Sequence, residues 1–136
     1  MQKFAVLFIT ILLLASCQSM PITGETVTVA GGSYQNITAA ELKFMLKDKD
    51  FLLVNVHIPI GTSIPGTDLF IAYDKITVSE NVLQLPTEKD SKIVLYCRSG
   101  RMSEIAAEEL VNLGYTNVWN VADGMLGWEH AGFSLE

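Results

Sequence analysis

Ile93-Val94-Leu95-Tyr96-Cys97-Arg98-Ser99-Gly100-Arg101-Met102-Ser103 runs from four consecutive apolar residues, through a cysteine and two arginines, into a helical pattern. An apolar run of this length bounded by polar residues reads as a strand buried on both faces, as in a parallel sheet between helical layers. Over residues 103–113 the spacing predicts a helix. Ala106, Ala107, Leu110, Val111 and Leu113 share one face, Glu104, Glu108 and Glu109 lie largely outside it, and Gly114 occupies the C′ position. A strand followed at once by a helix puts Cys97 at the carboxyl end of the strand, where open α/β sheets gather their ligands.

Working outward, Val118-Trp119-Asn120-Val121 reads as a further strand and residues 124–131 as a short final helix. Towards the N-terminus, Phe51-Leu52-Leu53-Val54-Asn55-Val56 is another buried strand. Thr38-Ala39-Ala40-Glu41 has the form of a capping box opening a helix over residues 39–47, with Leu42, Met45 and Leu46 at helical spacing. Thr26-Val27-Thr28-Val29 alternates like a short strand, and Gly31-Gly32 breaks it. Residues 57–76, with Pro59, Gly61, Pro65 and Gly66, read as loop, anchored by Ile64 and by Leu69-Phe70-Ile71 or a short strand there. A short helix at residues 79–85 stops at Pro86, and Glu88-Lys89-Asp90 forms a solvated turn. This order predicts an α/β fold, a central mostly parallel sheet flanked by helices on both faces through right-handed crossovers. There is no internal repeat.

The 136 residues suit one domain, and two cysteines are too few for a disulfide framework or a four-thiolate zinc site. A formal charge of −6, from 9 basic and 15 acidic residues, argues against a nucleic-acid partner held through its phosphates. Any bound anion must be caught by a local site.

Mean hydropathy, +0.32, is high for such a domain, and the excess lies at the start. Residues 4–15 are apolar except for Thr10 and follow Lys3, matching the charged and apolar regions of a signal peptide and being short for a bilayer span. Leu14-Ala15-Ser16-Cys17 resembles the bacterial lipoprotein signal, which implies cleavage before Cys17 and lipid on its thiol. The expected division is a signal peptide over 1–16, lipidated Cys17 and a polar tether over 17–25, and the domain over 26–136. Loss of the first 16 residues leaves 120 with a formal charge of −7. The implied location is the cell envelope, the protein being held to a membrane through Cys17 and facing the periplasm or exterior. Gln18 is not the aspartate associated with inner-membrane retention in many Gram-negative bacteria.

Cys97 has two readings. Free cysteine is commonly a buried packing residue. Alternatively, loop amides, a helix N-terminus and the guanidinium groups of Arg98 and Arg101 favour a thiolate beside an anion pocket, with Gly100 letting the backbone turn its amides inward. A strand-to-helix position and two arginines in an acidic protein favour the second.

Tyr96-Cys97-Arg98-Ser99-Gly100-Arg101-Met102-Ser103, the helix after it, Tyr115-Thr116-Asn117-Val118 and Asp123-Gly124-Met125-Leu126-Gly127-Trp128 resemble the single-domain rhodanese family. The resemblance is specific over residues 93–133 and weaker from residue 37. It implies a rhodanese-like fold and a sulfurtransferase with no metal or organic cofactor. Cys97 would take a sulfane sulfur from a small anionic donor such as thiosulfate or a persulfide and pass it to a thiol acceptor. The amides of Arg98, Ser99, Gly100, Arg101, Met102 and Ser103 would cradle the persulfide, and Arg98 and Arg101 would hold the donor's charge.

The chain departs from that family at Asn55 and His57, where an acidic residue and an arginine are usual, and Ser63 stands at a family histidine. His57 is either a proton donor or a structural group, and His130 is a surface residue. Three other functions compete. A cysteine phosphatase needs an arginine six positions after the cysteine, where this chain has Ser103. A thiol–disulfide oxidoreductase needs a resolving cysteine, and only Cys17 remains. A binding module of the same fold would work without turnover.

Overall fold

The computed structural model describes residues 22–136. The expected signal peptide, Cys17 and most of the tether therefore lie outside the described residues. Strands β1 (Glu25–Val29), β2 (Gly32–Ile37), β3 (Leu52–Asn55), β4 (Leu69–Phe70), β5 (Ile93–Tyr96) and β6 (Val118–Val121) alternate with helices α1 (Ala39–Met45), α2 (Ser79–Val82), α3 (Arg101–Asn112) and α4 (Gly124–His130). One sheet holds all six strands in the order β1-β2-β6-β5-β3-β4. Only β1–β2 is antiparallel; β2–β6, β6–β5, β5–β3 and β3–β4 are parallel. The α/β architecture expected from the sequence is the one observed.

Period-two alternation along the inner strands feeds two cores. Val54, Ile93, Leu95 and Val118 face one layer, joined by Ala106, Ala107 and Leu110 of α3. Leu53, Val94, Tyr96 and Val121 face the other, joined by Leu42 and Met45 of α1 and by Met125 and Trp128 of α4. Each fully buried Leu or Ile contributes about 1.5–3 kcal/mol, so the three central strands carry much of the stability. α3 begins at Arg101, two residues before the expected start, because the cysteine loop closes directly into its first turn.

β2 departs from the expected reading. Gly31-Gly32 is the turn of a β1–β2 hairpin, not merely the end of a strand. β2 carries only two apolar side chains, Tyr34 and Ile37, three residues apart and buried on opposite faces of the sheet. That spacing matches neither a half-buried nor a fully buried strand. Its conformation is set by backbone pairing with β1 on one side and β6 on the other.

The capping box of α1 is formed as expected: Glu41 N–H donates to Thr38 Oγ1 at 3.2 Å and Thr38 N–H to Glu41 Oε2 at 2.7 Å. Burial acts to raise the Glu41 carboxyl, but hydrogen bonds from Thr38 and Thr23 outweigh it and hold the group below its ordinary value. The long loop is pinned by Ile64 and Ile71, both buried, and by Asp68, whose Oδ2 accepts from Leu53 N–H at 2.8 Å and from Lys49 Nζ at 2.5 Å.

Tyr34 supplies a test of the packing of β2 on α3. Its hydroxyl donates to Glu104 Oε1 at 3.3 Å, and burial, aided by the Glu104 charge, pushes the phenol from 10.0 up to about 12. A raised phenol leaves stability intact below the unfolded value and removes it as pH climbs through the folded one. Stability is expected to fall as pH climbs from 10 to about 12, and Tyr34→Phe to flatten that slope in urea titrations. Among the described residues no helix is long and apolar enough to cross a membrane.

Candidate active site

Cys97 leaves the carboxyl end of β5 between β6 and β3, at the centre of the sheet edge. Its loop is held from the α4 side: Met125 N–H donates to the Cys97 carbonyl and Leu126 N–H to the Arg98 carbonyl, both at 3.0 Å. Two glycines make this approach possible. Gly124 has φ 55°, and a Cβ there would lie 2.7 Å from the Arg98 carbonyl oxygen and closer still to that of Cys97. Gly100 has φ 94°, and its Cβ would fall on the Ala122 carbonyl oxygen.

The sulfur sits inside this turn. Gly100 N–H donates to Cys97 Sγ at 3.1 Å, and Ser103 Oγ lies 3.5 Å from the sulfur and 3.1 Å from the Gly100 carbonyl. Ser103 has a single hydroxyl proton, which serves either the carbonyl or a charged sulfur. The residue is fully buried, and Cys97 is 1 % exposed. The amides of Arg101, Met102 and Ser103 open α3 and have no partner within the helix, so the partial positive charge of a twelve-residue helix points at the loop. An anion on this sulfur would meet hydrogen-bond donors.

The remaining loop residues divide by position. Arg98, Ser99 and Arg101 are exposed, and Met102 is half-buried against the α3-side core. Neither arginine has a carboxylate partner among the described residues, whose ion pairs are Lys49–Asp68 and Lys92–Asp50. Two guanidinium groups without an ion pair among the described residues therefore belong to the cysteine loop and the first turn after it, in a chain of formal charge −6. Among the described residues no group of three His, Cys, Asp or Glu side chains could hold a metal ion.

β3 brings a second set of groups alongside. Asn55 pairs with Tyr96 in register and Val56 N–H donates to the Tyr96 carbonyl at 2.9 Å, which brings the segment after β3 alongside the cysteine loop. Asn55 is buried: its Oδ1 accepts from His57 N–H at 3.0 Å and its Nδ2 donates to the Thr62 carbonyl at 3.3 Å. The amide thus shapes residues 57–62 from within. On the same loop, the Tyr96 hydroxyl accepts from Ile64 N–H at 3.0 Å and lies 2.6 Å from Thr67 Oγ1. Burial keeps its phenol above the ordinary value despite those hydrogen bonds.

The C-terminal tail completes a cleft of about 750 Å³ over this region, lined by His57, Ile60, Arg98, Met125, Phe133 and Leu135 among others. Ser63 and Glu136 exchange backbone hydrogen bonds at 2.8 and 2.9 Å, and Trp128 Nε1 donates to the Ser134 carbonyl at 2.9 Å. Phe133 stacks at a tilt on Trp128, 5.0 Å between centroids. Sequence reading did not anticipate this cleft, since residues 132–136 have no periodicity. The Ser103 hydroxyl was likewise missed, its one signal being a serine facing back across the first helical turn.

The chain matches the rhodanese-like domain family over residues 38–131. It is similar to an uncharacterised protein of Rickettsia prowazekii, 45 % identical over 49 residues, which are 35 % of this chain and 40 % of that protein. It is also similar to the adenylyltransferase and sulfurtransferase UBA4 of Candida albicans, 32 % identical over 53 % of this chain and 16 % of that protein. It thus spans less than half the length of either relative. A rhodanese-related protein of Thermoplasma volcanium, solved by crystallography, superposes with TM-score 0.60 at 26 % identity, over 74 % of this chain and 96 % of that one. With a cysteine at the carboxyl end of a central parallel strand, a family match over most of the described residues and a neighbour of the same fold, the chain belongs to the rhodanese-like domain family.

Proposed function

We propose that the protein is a sulfurtransferase working through a Cys97 persulfide. The observation that carries this reading is the sulfur held 3.1 Å from the Gly100 amide at the mouth of α3, with unpaired Arg98 and Arg101 outside. The Cys97 thiolate attacks the outer sulfur of an anionic donor. With thiosulfate, the donor's S–S bond breaks, sulfite leaves with the electron pair, and Cys97 keeps a terminal sulfur. A thiolate acceptor then takes that sulfur and restores Cys97. Loop amides suit the charged terminal sulfur, and the arginines suit the arriving donor. A phosphatase reading lacks its gripping arginine, since Ser103 at that position is buried and turned to the sulfur and the Gly100 carbonyl. The test is sulfite release from thiosulfate by the whole chain with a thiol present. Turnover is expected, and sulfite at the uncatalysed level would overturn the proposal.

We also propose that residues 1–16 are a signal peptide and that Cys17 carries lipid, placing the domain at a membrane of the cell envelope. Leu14-Ala15-Ser16-Cys17 and the apolar run before it support this. Acyl chains contribute about 0.8 kcal/mol per buried CH₂, and stable anchoring takes more than one chain. Cys17→Ala is expected to move the protein from the membrane fraction to the soluble one. Retention of that variant in the membrane fraction would contradict the assignment.

A further inference from the structure

The cleft beside Cys97 contains a polar atom that the fold leaves without a partner. His57 Nδ1 is buried and accepts or donates no hydrogen bond among the described residues. A proton on Nδ1 would bury an unpaired N–H, at a cost of about 1–3 kcal/mol. Nε2, which is not among the buried unpartnered atoms, is the ring nitrogen left to offer an N–H to the cleft that His57 lines. Arg98 lines the same cleft as His57. One neutral N–H donor and one guanidinium make a subsite for an oxyanion. Glu129, the other charged residue of the lining, disfavours an anion at its own end of the cleft.

Two further features identify the ligand. Cys97 is not among the residues that line the cleft, so an oxyanion at the His57 end of it lies outside the cysteine turn itself. In thiosulfate the oxyanion is directly bonded to the reacting sulfur, and a four-oxygen-sized ion would leave most of about 750 Å³ empty. The lining also offers hydrocarbon surface, from Ile60, which is 72 % exposed, and from Phe133 and Leu135.

Resting on the sulfurtransferase reading, we propose that His57 Nε2–H and Arg98 bind the carboxylate of the sulfur acceptor, an organic thiol whose hydrocarbon spacer lies along Ile60, Phe133 and Leu135. The acceptor thiol gives its proton to solvent, and its sulfur attacks the terminal sulfur of the Cys97 persulfide. The Cys97 S–S bond breaks, its electron pair returns to Sγ, and the acceptor leaves as a persulfide. No external oxidant or reductant enters. His57 acts here as a specificity residue that touches the acceptor away from the reacting atoms.

The test compares 3-mercaptopropionate with 2-mercaptoethanol as acceptors for the persulfide-loaded whole chain, so that differences in intrinsic thiol reactivity cancel between protein variants. His57→Ala is expected to raise the KM for 3-mercaptopropionate about tenfold, the loss of one hydrogen bond to a charged group, and to change that for 2-mercaptoethanol by less than about twofold. His57→Gln, which keeps an N–H donor, is expected to recover most of the loss. Equal change for both acceptors, or change for neither, would overturn the subsite. A second arm needs no sulfur on the enzyme: butanoate is expected to shift the NMR signals of the His57 imidazole in wild type and not in Arg98→Ala. If Cys97 fails to load while butanoate still shifts His57, the sulfurtransferase reading falls and the carboxylate subsite stands. Absence of that shift removes the subsite whatever Cys97 does.

Discussion

Gly100→Ala is expected to lower unfolding free energy by about 2–6 kcal/mol, from about 1–3 for a non-glycine residue held in a left-handed conformation and about 1–3 for forcing a methyl group into packed backbone. Domains of this size have about 5–15 kcal/mol in all, so the variant stands near the edge of folding. The size of the effect comes from where the methyl group lands. Gly100 has φ 94° and its Cβ would meet the backbone oxygen of Ala122, which cannot rotate away as a side chain would. Gly114 is the informative comparison, with φ 91° and open space around its Cβ. Gly114→Ala therefore isolates the conformational part and is expected to cost about 1–3 kcal/mol. Urea unfolding of the two variants checks the difference. Equal losses would mean that the cysteine loop has room to shift against β6.

Cys97→Ser is expected to reduce sulfite release from thiosulfate to the uncatalysed level while leaving the fold unchanged. A hydroxyl oxygen cannot carry the sulfane sulfur, so the covalent route disappears rather than slows. The replacement is close in size and keeps a group able to accept from the Gly100 amide, which the structure places 3.1 Å from the sulfur. Unfolding midpoints within about 1 kcal/mol of wild type are expected, against complete loss of turnover. Turnover retained in Cys97→Ser would assign the chemistry to another group.

These two residues also mark how far sequence alone reached. The three central strands, α3 and the position of Cys97 were legible because their side chains pack on both faces of a parallel sheet, and a continuous apolar run is the direct trace of that environment. α1 was legible through the Thr38/Glu41 reciprocal cap, which is a local interaction. β2 was not, because Tyr34 and Ile37 are buried in different cores and its pairing with β1 and β6 is made by backbone groups common to every residue. The cysteine loop was legible as a cysteine, a glycine and two arginines. Its tightness was not, since the need for Gly100 and Gly124 arises from the carbonyls of Ala122, Cys97 and Arg98 across the fold. The cleft was hidden for the same reason. His57 and Phe133 are 76 positions apart, and what joins their segments is a pair of backbone hydrogen bonds between Ser63 and Glu136.

The replacement of a charged pair by Asn55 and His57 acquires a physical meaning from these contacts. Asn55 is buried and uses its amide to fix the loop from His57 to Thr62. A neutral side chain does this without the desolvation cost of a buried carboxylate. Asn55 thus fixes the loop while the His57 ring lines the cleft.

The central claim, that Cys97 carries sulfur, is tested most directly by intact mass. The whole chain is incubated with thiosulfate, freed of donor and weighed before and after reduction, with Cys97→Ser alongside. The account predicts a gain of about 32 Da, one sulfur atom, that disappears on reduction and is absent from the variant. An unchanged wild-type mass, or the same gain in Cys97→Ser, would contradict it.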